Sequence, residues 1–110
     1  MFRNIDMAEA VKLCDLIGYQ DGQVVSRTLV QNKAVSMTLF SFDKGEEIST
    51  HESSGDAFVL CLDGKGRITI DGSEHILCKG DSIVLPAGHP HAVHAEERYR
   101  MLLVVVFPGS

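Results

Sequence analysis

The sequence predicts an all-β domain, an antiparallel sandwich or barrel preceded by one short α-helix. From residue 23 onward, short segments rich in β-branched and aromatic residues follow one another at regular spacing. Turn signals such as Asp71-Gly72 separate these segments. The chain has 110 residues, which is enough for one hydrophobic core and not for two. These observations together predict a single all-β unit.

The first element is predicted to be a helix. Asp6 is suited to be its N-cap, and Glu9 follows three residues later, which is the pattern of a capping box. Apolar side chains then recur at helical spacing, namely Met7, Ala10, Cys14 and Ile17. Gly18 is a typical helix terminator. We expect residues 1–22 to form a helical segment packed on a barrel made of residues 23–110.

The remaining elements are predicted to be strands. They are Val24–Val30, Ala34–Phe42, Ala57–Asp63, Arg67–Asp71, Glu74–Cys78, Ser82–Leu85, Ala92–Ala95 and Met101–Phe107, with Glu47–His51 as a further candidate. Asp71-Gly72, between two alternating runs, is the strongest hairpin signal in the chain. Eight or nine strands at this spacing are typical of an antiparallel sandwich or barrel.

The last predicted strand is apolar at every position. A strand with one wet face alternates between apolar and polar residues, so Met101–Phe107 should be covered on both faces. One face can line the interior. The other face, with Leu102, Val104 and Val106, needs either the N-terminal helix or a second subunit. We expect a homodimer, with the helix as the alternative cover.

Composition excludes several classes of partner. The formal net charge is −5, whereas nucleic acids and anionic membranes attract a basic face. No apolar run reaches the length of a membrane span, and the N-terminus lacks the pattern of a signal peptide. The three cysteines are odd in number and widely spaced, so they indicate neither a disulfide framework nor a zinc motif. We expect a cytoplasmic protein that binds neither nucleic acid nor membrane.

Two histidines stand in frames of turn residues. One frame is a glycine, five intervening residues, a histidine and later a second glycine, and the other is a glycine, a Pro-x-Gly turn and a histidine. The residues concerned are Gly45, His51, Gly64, Gly80, Pro86, Gly88 and His91. This spacing resembles the two motifs of the cupin superfamily, matching seven of ten positions. The resemblance implies a small single-domain conserved-barrel cupin with a jelly-roll fold, which usually pairs as a dimer.

The resemblance also bears on metal binding. Many cupins hold one divalent metal through two histidines and a glutamate of the first motif and one histidine of the second. Here Ser53 stands where the second histidine belongs, and Ala57 stands where the glutamate belongs. His51 and His91 therefore remain as candidate ligands for zinc, nickel, manganese or iron. Two neutral imidazoles without a carboxylate make a weak site, because catalytic sites commonly have three protein ligands.

A ligand pocket is expected inside the barrel. Its predicted lining is His51, Ser53, Ala57 and His91, with Met37, Leu39 and Val59 as the apolar wall. Such a pocket favours a small, weakly polar or mono-anionic molecule. His75 and His89 are interpreted as solvated, with His89 in the loop at the mouth of the barrel, and His94 is interpreted as a surface or interface residue.

Three functions remain open from the sequence. The first is a small-molecule-binding cupin of unassigned activity, whose pocket is marked by His51 and His91. The second is a metal-dependent enzyme of the dioxygenase or isomerase class with a reduced ligand set. The third is a structural or regulatory dimer with a vestigial pocket. Proton transfer without a metal is a further alternative for the two histidines, because imidazole titrates near neutral pH.

Overall fold

The computed structural model describes residues 1–109, and strands make up most of that range. The seven strands are β1 Val24–Gln31, β2 Val35–Phe42, β3 Glu47–His51, β4 Asp56–Ile70, β5 Ser73–Cys78, β6 Ser82–Leu85 and β7 His91–Val106. The predicted all-β class is confirmed. The candidate strand Glu47–His51 is present as β3.

All strand pairs are antiparallel. The hydrogen-bonded order is β1-β2-β7-β4-β5, with β3 paired to β7 and β6 paired to β4, and the sheet does not close on itself. The second half of β7 pairs with β2 and with the first half of β4, whereas its first half pairs with β3 and with the second half of β4. The two long strands thereby pass from one layer of the jelly roll to the other, and the main core lies between the layers.

Strands β4 and β7 are each longer than predicted. The predicted strands 57–63 and 67–71 are parts of β4, except that Asp71 follows its end. The predicted strands 92–95 and 101–107 are parts of β7, except that Phe107 follows its end. The register of β4 against β7 shifts twice, between Cys61 and Asp63 and between Gly64 and Gly66. Bulges of this kind bend a strand without ending it. Gly64 has φ +78°, and a Cβ there would lie 1.6 Å from the Arg98 carbonyl oxygen, so this crossing requires glycine.

The prediction of an N-terminal α-helix is wrong. The segment of residues 1–22 contains only a four-residue 3-10 turn, Leu13–Leu16. No helix begins at the Asp6–Glu9 capping box. Isolated helices of this length are marginal in water and depend on packing of an apolar face. Met7, which belongs to the predicted apolar face, is instead 63% exposed. No helix within residues 1–109 is long and apolar enough to cross a membrane.

The end of the N-terminal segment covers part of the outer sheet face. Ile17 is buried in a second cluster with Leu29, Leu39 and Leu102. Arg100 on β7 ties the segment down, because its Nη1 donates to the carbonyl oxygen of Ile17 at 3.1 Å. The segment therefore covers Leu102, one of the three outward side chains of the last strand, without forming a helix.

The directions in which the side chains of β2 point differ from the predicted pocket lining. Phe40 and Phe42 belong with the main core, whereas Met37 and Leu39 belong with the second cluster on the outer face. Side chains alternate along a strand, so a register displaced by one residue exchanges its two faces. Met37 and Leu39 thus do not line the barrel interior, where Val59 lies.

Candidate functional site

The structure brings His51 and His91 together at one end of the barrel. His51 is the last residue of β3 and His91 the first residue of β7, and the two are paired in the sheet. Their ring centroids are 4.3 Å apart at an interplanar angle of 67°, and their Nε2 atoms are 3.1 Å apart. His91 is only 5% exposed, whereas His51 is open to solvent. The pair therefore spans from the core to the rim of the barrel.

The backbone orients both rings. His51 Nδ1 lies 3.0 Å from the carbonyl oxygen of Ser49, and His91 Nδ1 lies 3.2 Å from that of His89. Burial lowers the pKa of His91 below its ordinary value of 6.5, and the neighbouring His51 lowers it further, while the contact with the His89 carbonyl opposes this shift. The buried ring consequently resists taking up a positive charge.

The loops that carry the two motifs are tied to each other. The amide of Gly88 donates to the carbonyl oxygen of Ser53 at 2.9 Å, and the amide of Ala87 donates to Asp56 Oδ1 at 2.9 Å. Ser53 Oγ accepts the amide of Gly55 at 3.2 Å, so this hydroxyl closes a turn of its own loop. These bonds join the two motif loops at the rim of the barrel.

A contact between a histidine and a carboxylate was not predicted from the sequence. His89 Nδ1 lies 2.5 Å from Asp71 Oδ2, and both side chains are about half exposed. The amide of Asp71 also donates to the Pro90 carbonyl oxygen at 3.1 Å, which joins the hairpin turn to the loop before β7. The interpretation of His89 as a loop residue holds, but its partner depends on the pairing of Ile70 with His91. No local sequence signal predicts that contact.

The wall next to the histidine pair is apolar. Ile70 is paired with His91, and Ile48 and Ile68 are paired with Val93 one level deeper. All four of these aliphatic residues belong to or pack against the main core. Two residues of the predicted lining, Ala57 and Val59, also lie in this core and are almost fully buried. The histidines are thus a polar pair at the edge of an apolar interior.

Three surface cavities lie away from the histidine pair. One of about 280 Å³ is lined by residues 16–20 and 25–27, and one of about 310 Å³ by Phe2 and residues 5–8. A third, of about 420 Å³, lies against residues 33–34 and 107–109. None of these three cavities is lined by a histidine. The candidate site is therefore identified by the side chains of His51 and His91 and not by one of these cavities.

A polar network on the outer face has a structural role. Tyr19 donates its hydroxyl hydrogen to Asp63 Oδ2 at 2.7 Å, and Arg100 Nη2 donates to the same oxygen at 2.9 Å. The guanidinium carbons of Arg98 and Arg100 lie 5.2 Å and 4.6 Å from the centroid of the Tyr19 ring. Burial and the hydrogen bond to Asp63 raise the pKa of Tyr19 to about 12, so this hydroxyl stays protonated. The network holds the N-terminal segment on the sheet.

Comparison with known proteins identifies the family. The family model described as "Cupin domain" matches residues 38–107, which include both histidines and both motif frames. The chain belongs to the cupin family. The resemblance deduced from the motif spacing is therefore confirmed.

Two solved structures are similar to nearly the whole length of this cupin. A conserved protein of unknown function from Streptococcus pyogenes has 45% identity and a TM-score of 0.96, covering 99% of this chain and 96% of its own. A cupin superfamily protein from Desulfitobacterium hafniense has 32% identity and a TM-score of 0.94, covering 98% and 99%. The quercetin 2,3-dioxygenase of Bacillus subtilis is 28% identical over 96 residues, which are 86% of this cupin and 28% of the dioxygenase. This cupin thus spans about 28% of the length of that curated relative.

The donor set of this cupin does not fit the metal that many members of the family hold. Within residues 1–109 no group of three or more histidine, cysteine, aspartate or glutamate side chains could hold a metal ion. At the histidine pair, Ser53 Oγ is engaged by the Gly55 amide, and Ala57 carries no donor atom. Catalytic metal sites commonly use three protein ligands, and a divalent cation between two neutral imidazoles lacks a compensating carboxylate.

Proposed function

We propose that this cupin binds a small, weakly polar or mono-anionic molecule at the mouth of its barrel, with His51 and His91 as the polar anchor. The observation that carries the proposal is the convergence of the two Nε2 atoms, 3.1 Å apart, at the edge of an apolar interior. Ligand sites are mostly apolar with a few convergent polar groups. Ile48, Ile70 and Val93 supply the apolar part next to the pair.

The rim supports this proposal because it is organised in advance. Each Nδ1 atom is engaged by a carbonyl oxygen, and the two motif loops are hydrogen-bonded to each other through Ser53 and Gly88. Ordering side chains on binding costs about 0.5–1.5 kcal/mol for each mobile one, so a rim that is already ordered favours binding. His51 is exposed and accessible to a ligand from solvent.

The test uses two probes of the same size and different charge. Benzoate and benzamide are titrated into ¹⁵N-labelled protein, and amide chemical shifts are followed. We expect benzoate to shift resonances of residues 48–51 and 91–93, and the effect to disappear in His51→Ala. His75→Ala is the matched control, because His75 is an exposed histidine on β5. Shifts confined to the N-terminal segment, or unchanged in His51→Ala, would contradict the proposal.

An oxygenase activity is the second candidate, favoured by the similarity to the quercetin 2,3-dioxygenase. The assay is oxygen uptake with quercetin, in the presence of added iron(II), manganese(II) or nickel(II). Turnover that disappears in His51→Ala would replace the binding proposal by an enzymatic one. The residues at the histidine pair offer no third protein ligand for such a metal.

A homodimer is the proposed assembly. On the outer sheet face Phe58, Val84 and Val106 are 37%, 56% and 57% exposed, and Phe58 is paired in register with Val84. An exposed apolar face of this kind marks an interaction surface. We propose that a second copy of the chain covers it, since the cluster formed with the N-terminal segment includes Leu102 and Val104 but leaves these three side chains exposed.

Light scattering on a size-exclusion column tests the dimer. We expect about 24 kDa, twice the chain mass of 12.0 kDa, and a shift toward 12 kDa in Val84→Lys. Ile76→Lys is the matched control, because Ile76 is 46% exposed on β5, which does not pair with β6. Elution of the wild-type chain as a monomer at micromolar concentration would contradict the proposed dimer.

A further inference from the structure

The first residues of the chain form an exposed arm. Of residues 1–8, only Ile5 is partly buried, and it packs against the second cluster on the outer sheet face. Met1, Phe2 and Met7 are all exposed. A lone exposed apolar side chain is ordinary, whereas several of them close together mark an interaction surface. The arm therefore presents an apolar surface that residues 1–109 do not cover.

The arm is bent, and two hydrogen bonds fasten its first half to β1. The amide of Arg3 donates to the carbonyl oxygen of Leu29 at 2.9 Å, and Asn4 Nδ2 donates to that of Thr28 at 2.9 Å. Ala8 has φ +60°, in the left-handed region that residues other than glycine rarely adopt. The bend encloses an open cavity of about 310 Å³, lined by Phe2, Ile5, Asp6, Met7 and Ala8. The arm thus has a concave and mainly apolar side.

The patch formed by Phe58, Val84 and Val106 is exposed on the same sheet face. A row of cross-strand neighbours leads to it from the arm. The row runs from the β1 bulge at Leu29 through Met37 on β2, Val104 on β7, Phe58 on β4 and Val84 on β6. Met37 and Val104 pack against the same second cluster as Ile5. The arm and the patch therefore lie at the two ends of one row.

The distance between these ends prevents contact within one chain. Neighbouring strands are about 4.8 Å apart, so the row from β1 through β2, β7 and β4 to β6 spans about 19 Å. The arm is fixed at the β1 end by its hydrogen bond to Leu29 and by the packing of Ile5. A single chain consequently leaves both apolar surfaces exposed.

We infer that in the proposed homodimer the arm of each copy covers the patch of the other copy. A two-fold interface brings one surface of the first copy onto a different surface of the second, and the reverse contact forms at the same time. Because β7 is the middle strand of the row, a two-fold axis above it exchanges the two ends. Each arm then lies on β4 and β6 of the other copy, and one symmetric contact buries both apolar surfaces.

The charges beside the two surfaces are complementary. Arg3 is exposed, is the only charged side chain among residues 1–5, and makes no ion pair within residues 1–109. Asp56 begins β4 two residues before Phe58, so alternation places it on the face that carries the patch. Its carboxylate is exposed and accepts the Ala87 amide. A second copy therefore offers the arm both an apolar contact and an opposite charge.

The inference rests on the proposed homodimer, to which it adds the two surfaces that meet. Sedimentation equilibrium measures the dissociation constant of the dimer. We expect Met7→Glu to raise this constant at least tenfold, because it places a charge in the apolar contact. Met7 is exposed, so its replacement leaves the fold of the barrel intact. Ile76→Glu is the matched control, because it adds the same charge at an exposed apolar residue of β5, outside the row, and should change the constant less than twofold.

Two further measurements test whether the arm and the patch touch. The variant that carries both Met7→Glu and Val84→Lys should dimerise more tightly than either single variant, because opposite charges then meet between the copies. In a sample that mixes ¹³C-labelled and unlabelled chains, intermolecular nuclear Overhauser effects should connect the Met7 methyl group with the Phe58 ring. These two groups lie too far apart within one chain to give that signal.

Three results would overturn the inference. A dimer with equal dissociation constants in Met7→Glu and Ile76→Glu, and without Overhauser effects from the arm, would leave the homodimer standing on another contact. A monomer at micromolar concentration would remove the homodimer as well and leave the two surfaces to a different partner. A mass that grows beyond twice the chain mass with concentration would show open chains of contacts in place of the two-fold exchange.

Discussion

Acidification is expected to destabilise this cupin through His91. The ring is 5% exposed, and burial lowers its pKa below 6.5, the value near which a histidine of the unfolded chain takes up its proton. Below pH 6.5 the unfolded state therefore binds more protons than the folded state, and the free energy of unfolding falls as pH falls. The contribution of His91 is complete above pH 6.5 and is lost below it, until the lowered pKa of the folded state is reached.

The magnitude is bounded by one proton. A difference of one bound proton changes the free energy of unfolding by about 1.4 kcal/mol for each pH unit. Between pH 6.5 and pH 5.5 we therefore expect His91 to contribute a loss of up to about 1.4 kcal/mol, which is a large part of the stability of a small domain. Replacing the ring by an uncharged amide in His91→Gln should remove this contribution.

Urea unfolding at pH 7.5, 6.5 and 5.5 measures the effect. Other titrating groups are common to the wild type and His91→Gln, so the difference between their pH profiles isolates the histidine pair. His75→Gln is the control and should retain the wild-type profile, because this ring is exposed on β5. If His91→Gln loses stability on acidification as steeply as the wild type, then His91 takes up a proton in the folded protein and the reasoning fails.

Three further predictions concern the core and the site. Gly66→Ala places a Cβ 2.6 Å from two ring atoms of the fully buried Tyr99, so urea unfolding should show a loss of about 1–3 kcal/mol in the free energy of unfolding. Gly18→Ala is the control. Its Cβ would have no atom within 4 Å, so the free energy of unfolding should change by less than about 0.5 kcal/mol. Tyr99→Phe removes a buried hydroxyl that has no hydrogen-bond partner among residues 1–109, so stability should be unchanged or higher, and a loss above about 1 kcal/mol would reveal a bound water. The double variant Ser53→His, Ala57→Glu should bind Zn²⁺ at least a hundredfold more tightly than the wild type in calorimetry. Without zinc it should be less stable than the wild type, because position 57 is buried and its carboxylate would be unpaired. Equal zinc affinity in the wild type would contradict the ligand assignment.

The strand pattern was predictable because it depends on local chemistry. Alternation and turn residues such as Asp71-Gly72 are properties of short segments, and the structure has a strand at each predicted place. The continuity of β4 through Gly64 and Gly66 was not predictable in this way. Glycines within a strand pattern indicate either a break or a bulge, and the close approach of the Arg98 carbonyl oxygen to Gly64 decides for a bulge.

The candidate site shows the same division. Motif spacing singled out His51 and His91, because the fixed offsets between turn residues and histidines reflect the geometry of the barrel. The contact of His89 with Asp71 and the two carbonyl oxygens that orient the rings depend on residues brought together by the fold. They are invisible in the sequence.

The sequence by itself determined that this protein is a β-structure of the cupin family with two histidines in register, since composition, period and motif spacing are local properties. Only the tertiary structure decided that residues 13–16 form a 3-10 turn, because a marginal helix forms only where its apolar face is packed. It also decided that Met37 and Leu39 face outward. Alternation defines two faces of a strand, and which of them is buried depends on the neighbouring strands and on what covers them.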